Sequence, residues 1–466
     1  MRTLTLVATR IRVLVAAAVV LAIAFGAALV ITVRSARGGL DLIGHHSAPV
    51  VVSTSNLHFA LSDMDAQVAN ALLVGDRTDL GVTRDIALSR YEARRLEVTG
   101  HLQQTAAYAG RDPAFGKDLR RVLDALGRYQ ALAGQAMLAQ SQAPAAGAGQ
   151  PPAQALDLYR RATDLMHEEL LPAAQQMIAD ETAQVEREYR HASSSATIWS
   201  ASSAVLGLGL LGVLVALQIV LAVAHHRVLN PAIAVATLAV LGVFITGLTA
   251  ATDADRDLYA AKTDAFDYTV MLHQARAFSH DGYADEARYL LDPARRPEYE
   301  SAFLDKSQRL VRTDATHISR YDTALDRALS AYFTAERAVT FDGYLGRSLR
   351  HVAFPGELAA GESALRGYQA YQAADRRLRA LVAGGDLAGA IRSYTGQTLG
   401  GTSATFNAYI GTLNRLISIN ETGFAATVSA GENALRGWIW RPPVLAVLVV
   451  VLVLAGAAPR LAEYRA

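Results

Sequence analysis

The sequence predicts an all-α integral membrane protein with four transmembrane helices and two extracytoplasmic up-and-down helical bundles, laid out as a tandem repeat. Three observations carry that expectation. Four apolar stretches contain no charged side chain, two long polar segments alternate with them, and those segments space their apolar residues by three and four.

Residues 1–12 read as a cytoplasmic N-terminus and 13–33 as the first span, an uncleaved anchor because no small-residue cleavage pattern closes it. A hydrocarbon core of ~30 Å needs about 20 apolar helical residues, which 13–33, 198–224 and 232–251 supply outright. The fourth stretch, 444–458, is shorter. Trp438, Ile439 and Trp440 extend it toward the interface, so the span is set at 441–458. Between the spans lie a first bundle at 34–197, a cytoplasmic loop at 225–231, a second bundle at 252–440 and, at the end, a cytoplasmic tail at 459–466.

Charge sets the orientation. Arg2, Arg10, Arg12, Arg227, Arg460 and Arg465 stand against the single acid Glu463 on the short pieces, which together carry +5. Residues 34–197 hold 16 basic and 19 acidic side chains, and residues 250–440 hold 21 and 23. Basic residues are retained preferentially inside, so both bundles face outward and both termini are cytoplasmic in a multi-pass plasma-membrane protein. Trp199, Trp438 and Trp440 then all fall at outer ends of spans, as an aromatic belt requires. The whole-chain net charge of +1 hides this asymmetry. With no cysteine, the outer bundles have no disulfide and are held by packing. Membrane lipid is the expected surrounding and nucleic acid is not an expected partner.

In the first bundle Leu57, Leu61, Met64, Val68 and Ala71 form a helical stripe, matched at its far end by Tyr159, Thr163, Met166, Leu170, Ala173 and Met177. The second has Phe266, Val270, His273, Ala277, His280 and Ala284, answered by Phe406, Ile410, Leu413, Ile417 and Asn420. Turns are expected at 75–81, 111–113 and 292–297, a flexible connection at 140–154, and the start of the last long helix at the 399–402 break. The first and last helices of each bundle should run about 40 residues, or about 60 Å, out of the bilayer. Asp63, Ala66, Ala69, Leu72 and Leu73 recur 218 positions later as Asp281, Ala284, Ala287, Leu290 and Leu291, which with the layout suggests duplication.

Candidate sites are few. Gly207, Gly209 and Gly212 spell a dinucleotide-loop pattern, but they lie inside the second span without a preceding strand. There, with Ser203, they read as close helix packing, and Gln218 reads as a hydrogen bond to a neighbouring helix. His273 and His280, two turns apart on one stripe, read either as hydrogen-bonded core histidines or as a ligand or pH-sensing pocket. Asp164, His167 and Glu168 have metal-like spacing on what reads as a solvated face, so no metal is expected. The second bundle holds twelve tyrosines against five in the first, which fits either a contact surface or a wide core. No catalytic constellation or phosphate loop stands out, so neither enzyme activity nor a cofactor is expected.

The segment Gly384, Gly385, Asp386, Leu387, Ala388, Gly389, Ala390 resembles the turn in four-helix-bundle sensor domains of bacterial chemoreceptors and kinases. The complete layout, with the tail Pro459, Arg460, Leu461, Ala462, Glu463, Tyr464, Arg465, resembles the actinobacterial GlnX-type four-span membrane proteins. That resemblance implies amino-acid sensing in which a solute-binding lipoprotein reports glutamate or aspartate outside and a cytosolic Ser/Thr protein kinase acts inside. The expectation is therefore a non-catalytic sensor or adaptor subunit, its partner held by Arg10, Arg12, Arg227, Arg460 and Arg465, with homo-oligomerisation left open. A structural scaffold of the cell envelope or a transport-associated subunit are the alternatives.

Overall fold

The computed structural model describes residues 2–109, 113–143, 147–225, 230–334, 337–396 and 400–462. They form no strand, and the one isolated bridge joins Arg312 and Asp342. Helix α1 (Arg2–Asp41) passes through a π-helical segment, Leu42–Ser47, into α2 (Ala48–Val74). Then follow α3 (Arg84–Ala109), α4 (Pro113–Gln142), α5 (Ala153–Leu165), a π-helical turn at Met166–Leu170, and α6 (Leu171–His225). The second half opens with α7 (Pro231–Tyr259), a π-helical segment at Ala260–Phe266, and α8 (Asp267–Leu291). It continues with α9 (Arg296–Leu310), α10 (Ile318–Thr334), α11 (Tyr344–Arg350), α12 (Glu357–Ala383), α13 (Leu387–Thr395), α14 (Thr402–Leu435) and α15 (Arg441–Ala462).

Among the described residues, four helices are long and apolar enough to cross a membrane, within the helical runs Thr9–Val74, Ala153–Val223, Pro231–Leu291 and Arg441–Pro459. The positions matched in sequence also share their backbone form. A shift of 218 carries Leu42–Ser47 onto 260–265 and α2 onto 266–292, where the second π-helical segment and α8 are found.

The chain divides into two compact units. One comprises Met1–His46, Val185–Thr263 and Ala425–Ala466. Its interior holds Phe25, Leu210, Leu214, Val240, Val449 and Val453, while Val205, Val223, Leu238 and Val444 are exposed. Helices apolar both inside and outside suit a lipid surrounding. Asn230 starts α7: its Oδ1 accepts from the Ala232 N–H at 3.1 Å and its Nδ2 donates to the Gly456 carbonyl at 2.9 Å, with Pro231 in the first turn.

Of the small and polar residues expected to pack this unit, Gly207 does so closely. A Cβ there would meet the Phe244 ring at 2.4 Å and Phe25 at 3.0 Å. Gly209 has only Leu21 at 4.0 Å, and Gly212 has nothing within 4 Å. They are rotated about 200° and about 140° around the helix from Gly207, so they face elsewhere. Ser203 is buried but donates back to the Ser200 carbonyl at 2.8 Å in its own helix. The Gln218 amide nitrogen is buried without a hydrogen-bond partner, so the expected link to a neighbouring helix is not made. Arg10 and Arg12 are exposed; Arg227, Arg465 and the Arg460 side chain lie outside the described residues.

The other unit comprises Ser47–Gln184 and Asp264–Phe424. The two polar segments, read from sequence as separate bundles, here share one core. Leu57, Met64 and Leu72 of the first segment join Ala287, Leu290 and Tyr394 of the second in one apolar cluster. A second cluster draws on the later segment alone, around Leu272, Phe303, Leu325 and Leu413. The tyrosines fill these interiors: Tyr321, Tyr332, Tyr368 and Tyr409 are fully buried, and Tyr321 donates to the Ser307 or Val311 carbonyl at 2.8 Å. The Gly-Asp turn forms as its residues dictate. Gly385 adopts φ +83°, and Asp386 caps α13 by accepting from the Gly389 N–H at 2.8 Å. A Cβ at 389 would stand 2.1 Å from that same carboxylate, so a larger residue there would make the Asp386 side chain shift.

Candidate ligand site

The stripe on α2 predicts one buried face, but the helix is buried around nearly its whole circumference. Asp63, Asp65, Gln67 and Asn70 therefore lie inside with Leu61, Met64 and Val68. Buried charge is stable only when paired and hydrogen-bonded, and Asp65 meets that demand. It accepts from the Tyr129 hydroxyl at 3.0 Å, from Tyr159 and Thr163 at 3.3 Å, and from Arg288 of α8 at 2.7 and 3.1 Å. Arg288 also donates to Asp285 at 2.5 Å. Lys306 of α9 places its ammonium 2.5 Å from Asp285 and 3.0 Å from Asp281.

His167 points its Nε2 at Asp281, 3.3 Å away. Burial works to raise the Asp281 pKa, but Lys306, His167 and Arg288 outweigh it and hold the carboxyl well below its ordinary range. Burial likewise opposes the Arg288 charge, and Asp65 and Asp285 overcome it. Ligand atoms of His167, Asp281 and Asp285 lie within 4.8 Å of one another, as a metal site would need. Lys306 and Arg288 already neutralise them. The trio Asp164, His167 and Glu168 is not the grouping found: Asp164 pairs with Arg295 at 2.8 Å.

Beside this network opens a cavity of 290 Å³. Helix α2 contributes Asp63, Gln67 and Asn70; α3 contributes Arg90, Arg94 and Glu97; α8 contributes His280 and Tyr283; and Tyr394 and Phe406 close it. Arg94 is bonded to Asp63 and, at 2.6 Å, to Glu97. Gln67 Nε2 donates to Asp63 at 3.1 Å, and Asn70 Nδ2 donates to the Gln67 carbonyl at 3.3 Å, which leaves Asn70 Oδ1 buried without a partner. The wall is aromatic: the Tyr283 and Phe406 rings stack at 4.2 Å.

His280 is held edge-on by Phe59 and Phe406, with centroids 4.4 and 5.0 Å away. Its Nδ1 stands 4.0 Å from Asp63 and has no hydrogen bond. Burial lowers its pKa to about 4, against the pull of Asp63, so the ring is neutral at pH 7. His273 sits elsewhere. It lies 3.0 Å from Glu421, receives a hydrogen bond at 3.2 Å from Arg276, and does not line the cavity. Of the sequence-selected pair, the structure brings one member to the cavity. Asp63, Asn70, Arg90 and Arg94 went unselected; the available signal was four polar residues interrupting the apolar pattern of α2.

Residues 39–190 match the family model of the Actinobacterial sensor domain. The match supports an actinobacterial sensor protein with a signalling role. No curated protein and no solved structure matches the chain. The sensor domain supplies the α2 and α3 walls of the cavity, whereas His280, Tyr283, Tyr394 and Phe406 come from the second segment, beyond the matched span.

Proposed function

We propose that this chain is a non-catalytic transmembrane sensor subunit that relays extracytoplasmic nutrient status to a cytosolic Ser/Thr protein kinase, with glutamate and aspartate the first nutrients to test. The cavity beside His280 carries the reading, because the sensor domain builds one wall and the second segment the other within a single compact unit. Whatever occupies that seam, or a loaded solute-binding lipoprotein docked on the unit, biases how the two segments pack. Helical runs of 66, 71 and 61 residues give such a shift an unbroken backbone to travel along. The charge asymmetry supports an outward-facing unit with both termini inside. The short basic pieces bearing Arg10, Arg12, Arg227, Arg460 and Arg465 then meet the partner.

In-cell crosslinking followed by purification of the full chain tests this. Capture of a solute-binding lipoprotein and a protein kinase supports it. Capture of cell-wall enzymes alone, or reporter fusions that place residues 47–184 in the cytosol, would overturn it.

A further inference from the structure

The duplication gives the cavity a built-in comparison. Asp63, Gln67 and Asn70 of α2 correspond, at the 218-residue shift, to Asp281, Asp285 and Arg288 of α8. In the α8 copy the space beside the aspartate is filled by the protein's own cations, with the Arg288 guanidinium 3.5 Å and the Lys306 ammonium 3.0 Å from Asp281. In the α2 copy the residue matching Arg288 is Asn70, three bonds shorter, and its Oδ1 is left buried and unpartnered. The 290 Å³ cavity is lined by that shorter side chain.

We propose that this cavity directly binds a small zwitterion of amino-acid size, whose ammonium is taken by Asp63 and Asn70 Oδ1 and whose carboxylate is taken by Arg90. The lining charges select the class. Asp63 and Asn70 are buried while Arg90 is exposed to solvent, so the interior side suits an ammonium and the open side a carboxylate, and a zwitterion supplies both. Arg94 is tied to Asp63 and Glu97, whereas Arg90 has no ion-pair partner among the described residues. Tyr283 and Phe406, stacked on each other, give the cavity an apolar wall beside the ligand's carbon skeleton. The inference rests on the sensing reading and deepens it by giving the chain a ligand of its own, a zwitterion held without a carrier protein.

The full chain in nanodiscs, titrated calorimetrically with L-glutamine, L-serine and L-alanine and separately with acetate and methylammonium, tests it. Saturable binding of at least one of the three amino acids is expected, with acetate and methylammonium each at least about tenfold weaker. Arg90→Gln should weaken binding about tenfold. Asn70→Arg, which places the side chain of the matching α8 position in the cavity, should abolish binding in protein that circular dichroism shows to be folded. Absence of binding tighter than about 1 mM for all three amino acids, or full binding by folded Asn70→Arg protein, overturns the assignment. If binding is absent while a lipoprotein and a kinase still crosslink, the cavity assignment fails and the sensing reading stands. If binding is intact and no signalling partner is found, the cavity assignment stands and the sensing reading falls.

Discussion

Asp65→Asn is the sharpest test of how the two polar segments are held together. The substitution keeps the size of the side chain but removes the charge that Arg288 faces at 2.7 and 3.1 Å, and it turns one acceptor into a donor among Tyr129, Tyr159 and Thr163. Breaking a fully buried pair costs about 3–5 kcal/mol. Arg288 keeps Asp285 at 2.5 Å and Asp281 at 3.5 Å, so the lower end, about 3 kcal/mol, applies here. At about 2–4 °C per kcal/mol for a large domain, thermal unfolding followed by circular dichroism should fall by about 6–12 °C. Asp65→Asn combined with Arg288→Met removes the orphaned cation as well, so the double variant should be more stable than the sum of the single effects by about 1–3 kcal/mol. A shift of less than about 2 °C for Asp65→Asn, or strict additivity in the double variant, would refute the claim that this pair staples the segments.

Burial holds both His58 and His280 at a pKa of about 4, below the ordinary 6.5. The unfolded chain therefore takes up protons that the folded chain refuses, and stability is lost as pH falls from 6.5 toward 4, by at most about 1.4 kcal/mol per pH unit per histidine. Urea midpoints measured across that window should drop, and His58→Phe should flatten the slope; an unchanged slope counts against the assignment. Glu286 moves the other way, its pKa raised by burial first and by the neighbouring Asp375 second. Folded Glu286 stays protonated while the unfolded carboxyl ionises, so Glu286→Gln should gain stability over wild type as pH rises above about 4.5, and no gain at pH 8 sinks the point. Gly207→Ala should destabilise the apolar unit by about 1–3 kcal/mol, since a Cβ would stand 2.4 Å from Phe244, whereas Gly212→Ala has open space and should be silent in detergent unfolding.

Helices and their ends were largely legible. Asn230 with Pro231 starts α7, and Gly385, Asp386 and Gly389 fix the turn into α13, because these are local steric and hydrogen-bond constraints that the chain settles within four residues. Partnership between distant residues was not. Periodicity marks a stripe but not how many neighbours surround it, so Leu57, Leu61, Met64, Val68 and Ala71 gave no sign that Asp63, Asp65 and Asn70 are interior as well. The tyrosines show the same limit, since composition could not separate a binding surface from the packed ring cluster of Tyr368, Tyr371 and Tyr409. His273 and His280 share a stripe, yet only the second meets the cavity, because Phe59 and Phe406 flank it while Glu421 and Arg276 claim the first.

By itself the sequence determined that this is an all-helical chain with four apolar helices and two long polar segments, since charge-free length and helical spacing are properties of consecutive residues. Only the tertiary structure decided that the two segments share one core, that Asp65 of one is neutralised by Arg288 of the other, and that Asn70 lines a cavity beside Asp63. Those outcomes depend on which side chains meet across more than two hundred residues of chain. No local pattern encodes such a meeting, because the energy of a buried charge is set by its neighbours in space.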